Sequence, residues 1–340
     1  MRPLRSAGAF RVLLVGLAAL LALSLVAALG FGPARLPQEQ VWAIVGERLG
    51  LLQRGDWSDG QASIVWLIRA PRVLLGALVG AGLALVGSAL QATTRNPLAD
   101  PHLLGVSSGA ALGAVLVVLY LGEFAGHLSL PLAAFVGALA STALVLAIAS
   151  RHGRLESDRL LLAGVAVSFL CMALVNLLLF LGDPHAASSV LFWMLGGLGL
   201  ARWELLALPA VSLALGLALL MAQARGLNAL MSGEDTAASL GFEPRRVRLW
   251  VFLCASLLTG VLVALSGAIG FVGLMLPHLA RRLVGAEHRR LLPTSALLGA
   301  LFLVWVDVGA RTLAAPQDLP IGIATAAIGG LFFVGLLRRR

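Results

Sequence analysis

The 340-residue chain contains no lysine: all 25 of its basic residues are arginine. A phosphate-binding loop of the Gly-x4-Gly-Lys-Ser/Thr kind sets a lysine against the terminal phosphates of a nucleotide, so this chain cannot build one. If it uses ATP, another polypeptide binds the nucleotide. Charge of either sign is scarce. Charged residues make up 12% of the chain, half of what a soluble domain carries, which leaves too little polar surface to face water. The two cysteines, Cys171 and Cys254, both sit in apolar runs; they form no metal or redox spacing and read as small buried side chains. Tyr120 is the one tyrosine. No cluster of His, Asp, Glu or Cys converges within the apolar runs, which speaks against an enzyme embedded in lipid.

What the chain has instead is apolar length. Hydrophobic residues are 59% of the total, and stretches of roughly 17 to 25 residues, each able to cross about 30 Å of hydrocarbon, recur almost throughout. Ten are expected, near 12–31, 64–92, 103–121, 130–149, 160–181, 203–222, 248–265, 269–284, 291–312 and 319–337. The eighth is short and ends in Arg281 and Arg282. The first, behind Arg2, Arg5 and Arg11, is too long for the core of a cleaved signal peptide and reads as an uncleaved span. The expected fold is an all-α polytopic membrane protein.

Arginine placement orients it. Ten crossings put both termini on one side, and 18 arginines then fall on that side, against Arg35, Arg48, Arg54, Arg69, Arg72, Arg202 and Arg311 on the other. Excess arginine in short loops marks the cytoplasmic face, so both ends are expected inside. Asp307 is the one acid well inside a span, Glu204 standing at the edge of the sixth. The formal charge of +9 therefore reports orientation in a membrane, with no nucleic-acid partner implied.

Two polar interruptions stand out. QATTRNPLADPHLLGVSSGA, residues 91–110, breaks the apolar pattern with an arginine, an aspartate, a histidine and two prolines. Asp100 before Pro101 is helix-start chemistry, since the carboxylate can cap free N–H groups while proline loses none. Gly105, Gly109 and Gly113 follow at intervals of four, a stripe that lets another backbone approach. A second interruption, LMSGEDTAASLGFEPRR at 230–246, starts with Ser232 and Asp235 in a capping-box-like spacing and stops at Gly241 and Pro244. The enclosed helix, about 232–241, is too short to cross and is expected to lie on the inner face.

The order Arg69-Ala-Pro-Arg72, GALVGAGLALVGSALQ, RNPLADPHLLGVSSGA closely resembles the most recognisable block of the FecCD-like family of ABC importer permeases for iron chelates, haem and cobalamin. SGAIGFVGLMLPHLARRLVG with HRRLLP, and DLPIGIATAAIGG from Asp318, resemble the later signatures, so the likeness runs from the first span to residue 337. Three departures concern packing, charge reach and a helix kink: Val86 where serine is common, Asp318 where glutamate is common, and Leu331 where proline is frequent.

The resemblance implies that residues 1–340 form a single permease domain of ten helices, the type II ABC importer architecture, in a bacterial inner membrane. It implies a second copy of the chain, two ATP-binding subunits that hold ATP and Mg, and an extracytoplasmic substrate-binding protein. No cofactor or metal is expected on this chain. Asn96, Leu98, Ser157 and Asp158 match the family's cytoplasmic constriction; a capped tight turn is the alternative for the first pair. Gly233, Glu234, Ala237, Leu240 and Gly241 match the coupling helix that docks on the ATPase, against a solvated connector. Arg69, Arg72 and Arg311 match arginines that receive carboxylates of the binding protein. The competing reading is a local ion pair, strongest for Arg311, four residues after Asp307. His278 beside Pro277 is read as a packing or hydrogen-bonding residue. Haem is the favoured cargo because the spans carry few polar groups, with ferric siderophores and cobalamin as alternatives and an ion-coupled secondary transporter as the other class.

Overall fold

The computed structural model describes residues 6–151, 154, 155 and 157–338, with 103, 104, 151, 154, 155 and 157 described by backbone alone. In chain order the helices are α1 (Ala7–Ala28), α2 (Gln38–Arg48), α3 (Asp59–Thr93), α4 (Val106–Leu121), α5 (Ser129–Ala149), α6 (Ser157–Leu181) and α7 (Pro184–Met194). They continue as α8 (Trp203–Ala222), α9 (Ala224–Met231), α10 (Glu234–Ser239), α11 (Pro244–Ser266), α12 (Val272–Val284), α13 (His288–Leu313) and α14 (Ile321–Leu337). One antiparallel pair of two-residue strands, Ser150–Arg151 with Arg154–Leu155, precedes α6.

All ten expected apolar stretches are helical, but they are not alike. Among the described residues, α1, α3, α5, α6, α8, α11 and α13 are the 7 helices long and apolar enough to cross a bilayer. α4 and α14 are shorter, and α12 has 13 residues, about 20 Å at the rise of an α-helix. Of the ten stretches expected to cross, seven therefore have the length and apolarity of a span among the described residues, and three are shorter. α4 begins at Val106, later than expected, because Gly105 in the left-handed region (φ 81) separates it from a 3-10 turn at Pro101–Leu104. α2, α7 and α9 were not expected: none has the length or unbroken apolarity of a crossing, and α7 is started by Asp183, whose carboxylate accepts from the N–H groups of His185 and Ala186.

Burial sorts the helices into layers. The most apolar 18-residue window is 83% buried in α3, 78% in α11 and 72% in α13, against 6% in α1 and 22% in α6 and α8. A helix apolar on every side is at home either in lipid or inside other helices, and these shares say which. α3 is the central post. Its glycines let backbones touch: a Cβ on Gly80 would stand 2.2 Å from the carbonyl oxygen of Gly299 in α13, and one on Gly87 would stand 1.9 Å from that of Gly273 in α12. Gly109 and Gly113 meet α5 in the same way, at Gly137 and Ala133. Gly105, counted with that stripe from its spacing, instead supplies the left-handed turn before it.

Between α11 and α12 the chain unwinds inside the bundle, through Gly267 (φ 63) to Phe271 (φ 68). Exposed backbone is not tolerated in hydrocarbon, so neighbouring segments must cover it. The 195–197 turn and the start of α14 pack against it: a Cβ on Gly267 would stand 2.0 Å from Trp193 O, and one on Gly322 would stand 3.0 Å from Ala268 O. Gly197 donates to Ser266 O at 2.8 Å, just before the break, and the 195–197 turn is itself held by Ile321 and Gly322, which donate to Gly196 O and Leu195 O at 2.9 and 3.1 Å. α12 then runs to Arg281 and Arg282, the ends of both termini's helices lying close by. Phe10 in α1 sits under the Arg290 guanidinium, 5.5 Å from ring centroid to carbon, and Phe332 and Leu336 of α14 adjoin Arg282. The start of α1 and the last turns of α14 thus lie at the arginine-rich end of the bundle.

Replacing Gly87 with alanine must push α3 off α12 and is expected to cost about 1–3 kcal/mol. Gly16→Ala in α1, where nothing lies within 4 Å of the new methyl group, is expected to leave the thermal unfolding midpoint in detergent unchanged. Equal midpoints for the two variants would refute the backbone contact.

Candidate functional site

At the arginine-rich end, α3 finishes with Thr93 and Thr94 hydroxyls donating back to Ala89 O and Leu90 O at 2.7 and 2.8 Å. Arg95 then takes a positive φ of 51°. The Asn96 carboxamide oxygen accepts from Leu98 N at 2.9 Å, and Ala99 N donates to Asn96 O at 3.1 Å, so asparagine shapes a tight turn through its own side chain. Asp100 caps the next turn as its sequence context indicated, Oδ1 accepting from His102 N at 2.9 Å. Ala99 and Asp100 are buried, while Leu98 at the tip is 54% exposed. The Pro101–Leu104 turn packs on α6, whose first turn carries Asp158, exposed. Ser157 opens that helix, and its side chain lies outside the described residues.

A buried polar knot, unforeseen from sequence, holds the base of this segment. Gln91 Oε1 accepts from Arg281 Nη2 at 2.6 Å, and its Nε2 donates to Gly273 O at 3.1 Å and reaches Ala99 O at 3.5 Å. The signal was a lone glutamine in the run GSALQATT: a polar side chain on a fully enclosed helix has to find partners.

The one-turn helix α10 has six residues, shorter than the 232–241 stretch expected. Ser232 does not cap it. Ser232 closes α9, and the start is Gly233, whose φ of 118° leaves no side-chain cap. The end follows expectation: Gly241 (φ 81) donates to Ala238 O and Phe242 to Ala237 O, both at 3.0 Å, a Schellman closure. Ala237 is fully buried, whereas Leu240 is 63% exposed. Glu234 turns back toward the bundle, its Oε1 2.5 Å from Arg248 Nη2 and 3.9 Å from Arg95 Nη2. Arg248, buried in the first turns of α11, also places Nε 3.5 Å from Thr93 O. Sequence reading counted Arg248 only as part of the loop charge.

At the opposite end, Arg69, Arg72 and Arg311 do come together, but around the chain's own acceptors. Arg69 donates Nη1 to Leu29 O at 2.9 Å and Nη2 to Ala34 O. Arg72 Nε bonds Asp307 Oδ1 at 2.8 Å and its Nη1 bonds Asp318 Oδ2 at 2.5 Å. Arg311 Nη2 donates to Ala28 O at 2.9 Å, with Nε 3.3 Å from Asp307 Oδ2. Arg69 and Arg311 are buried, so neither presents its fork to an outside carboxylate in this conformation; the local pairing is what the structure shows. Arg69 is the last residue of a π-helical turn, Ile64–Arg69. Asp318 reaches Arg72 despite being one methylene shorter than glutamate. Nearby, Trp203 stacks on Trp66 with centroids 4.8 Å apart and donates its indole N–H to Trp66 O at 2.7 Å.

The remaining singled-out residues are structural. His278 meets Phe332 edge-on, 5.9 Å between centroids, and Tyr120 donates to Leu178 O at 2.9 Å, tying α4 to α6. Cys171 is buried and Cys254 half-buried. Val86 is fully buried in α3, and α14 runs unbroken through Leu331. Among the described residues no group of three His, Cys, Asp or Glu side chains could hold a metal ion.

Comparison with known proteins gives concordant results. The model of the FecCD transport family matches residues 20–339. The hemin transport system permease protein HmuU of Yersinia pestis is 44% identical over 281 residues, covering 81% of this chain and 84% of that one. The vitamin B12 import system permease protein BtuC of Vibrio cholerae is 40% identical over 301 residues, covering 88% and 89%. A solved metal-chelate type ABC transporter in an inward-facing conformation superposes with a TM-score of 0.83 at 34% identity, over 96% of this chain and 99% of that one.

Asp307→Asn removes the counter-charge of two guanidinium groups, one of them buried, and is expected to destabilise the protein by about 3 kcal/mol. Asp318, 46% exposed, shares only Arg72, so Asp318→Asn is expected to cost about 1 kcal/mol or less. Thermal unfolding of the two variants in detergent checks the order; the reverse order would show that Asp307 is not the centre of the cluster.

Proposed function

This chain belongs to the FecCD transport family, and on that premise we propose that it is the permease of an ATP-driven ABC importer for a metal chelate, with haem as cargo. The observation that carries the transport reading is α10: a one-turn helix at the arginine-rich end, with Leu240 held outward by a Schellman closure. That is the shape of a plug for a groove on another protein, and the missing lysine puts nucleotide hydrolysis, with its ATP and Mg, on that partner. The arginine-rich end then faces the cytoplasm, with both termini inside a bacterial inner membrane and ten passages through it, α4, α12 and α14 crossing as short helices within the bundle.

Two copies form the path in this reading. α6 carries exposed Phe169, Leu177 and Phe180, an apolar wall for a second copy, lipid or a flat macrocycle to lie against. Asn96 and Leu98, with Ser157 and Asp158, form the inner constriction: the asparagine fixes the turn and the leucine closes the passage. The scarcity of polar groups on the exposed helix faces suits haem better than a hydroxyl-rich ferric siderophore, and cobalamin is the next choice. At the outer end, we assign Arg69 and Arg311 to holding the rim together. Arg72 is the docking arginine, reached by a carboxylate of the binding protein that displaces the exposed Asp318. An ion-coupled secondary transporter would need a membrane acid free to bind and release its ion; Asp307 is instead held between Arg72 and Arg311.

Proteoliposomes holding this chain and its ATPase are expected to take up haem delivered by the binding protein only when ATP is present. Leu98→Cys copies, oxidised across the two-fold axis, are expected to stop that uptake until reductant is added. Uptake driven by an ion gradient without ATP, or undiminished through fully cross-linked Leu98→Cys protein, would refute the proposal.

A further inference from the structure

We propose that Glu234 is a strut that carries movement of α10 to the gate segment, and is not a contact to the ATPase. The inference rests on the coupling and gate assignments above and adds to them the path between the two. Glu234 is the first residue of α10, yet its carboxylate points away from the partner's side, to Arg248 Nη2 at 2.5 Å and toward Arg95 Nη2 at 3.9 Å. Arg248 is 2% exposed and in turn lies 3.5 Å from the carbonyl of Thr93, the last residue of α3. A buried guanidinium needs its counter-charge, so this link is stiff, whereas the Arg95 contact, half-exposed on both sides, is weak and adaptable.

The far end of the same segment folds back on α3: Ala99 O lies 3.5 Å from Nε2 of Gln91, itself a residue of α3 that is held by Arg281 and by Gly273 O of α12. Both ends of the Thr93–Ala99 stretch thus return to α3, while the contacts with Glu234 and Arg248 bear on its Thr93–Arg95 side and Leu98 is exposed at its tip. If α10 shifts with the ATPase, Glu234 draws Arg95 with it while the Ala99 side stays on Gln91, and the leucine turns.

The test uses the assembled transporter in proteoliposomes, with Cys171 and Cys254 replaced by alanine and spin labels on Leu98→Cys in both copies. Glu234→Gln is expected to keep the ATPase bound in pull-down and hydrolysing ATP. Haem moved per ATP is expected to fall about tenfold, the equivalent of one charge-assisted hydrogen bond, and the nucleotide-dependent change in Leu98–Leu98 distance is expected to vanish. Exchanging the charges, Glu234→Arg with Arg248→Glu, is expected to restore part of that change, which a merely misfolded helix would not allow. Normal uptake per ATP together with a normal distance change in Glu234→Gln would overturn the strut. Loss of the ATPase from Glu234→Gln in pull-down would overturn it too, making Glu234 a docking contact and leaving the coupling reading intact. Absence of ATP-dependent uptake by the unsubstituted transporter is the separate failure of the function proposed above, and takes the strut with it.

Discussion

A backbone inside hydrocarbon has no solvent to bond, so every N–H and C=O must be paired by the protein itself. That requirement shapes this molecule more than any one side chain does. It makes the chain helical, and it decides where helices are allowed to stop. The break at 267–271 is enclosed by the 195–197 stretch, which bonds Ser266 O, and by the start of α14, which packs on Ala268 and holds that stretch in place, so the short α12 can follow it inside the bundle. Glycine serves the same requirement from another side. Between helices in lipid there is little hydrophobic drive, so association depends on close packing, and the contacts at Gly80, Gly87 and Gly109 bring backbones together where a methyl group would already be too large.

The same reasoning explains what could be read from the sequence. α3, α11 and α13 were legible because a crossing needs length and apolarity, both local properties. The Asp100–Pro101 start and the Gly241 stop were legible because caps are local too. α12 was only partly so, since its shortness is compensated by segments far away in sequence. α7 and α2 were not expected at all: eleven residues each, they are too short for a span and owe their position to neighbours. The start of α10 was misread at Ser232 because spacing alone cannot distinguish a serine that opens one helix from a serine that closes the one before.

For the candidate site the division is similar. Motif likeness singled out Asn96, Leu98 and the 233–241 stretch, and the structure gives Asn96 the shaping of a tight turn and Gly241 the closure of a short helix. It did not foresee that Arg69 and Arg311 turn inward, because a guanidinium near a membrane face reads the same in sequence whether it meets a partner protein or the carbonyls of Leu29, Ala34 and Ala28. Gln91 and Arg248 escaped notice for the opposite reason: a single polar residue in an apolar run or a basic loop has no pattern of its own until its partners, here about 190 and 14 residues away, are brought beside it.

The two ends of the bundle also differ in how their charges are held, and the difference assigns them different mechanical parts. At the Arg72 end the acid and two of the three arginines are enclosed, and each guanidinium is tied to an acceptor on another segment. Opening that cage would strand buried charge, so it resists motion. At the Arg248 end the links are graded: a buried arginine, a half-exposed glutamate, an exposed arginine and then a turn whose tip is free. Local opening in a protein begins where burial is least. On the proposed function, a conformational cycle driven by an outside ATPase has its pliable element at the end where that ATPase would dock, and its rigid hinge at the other, with α3 reaching both.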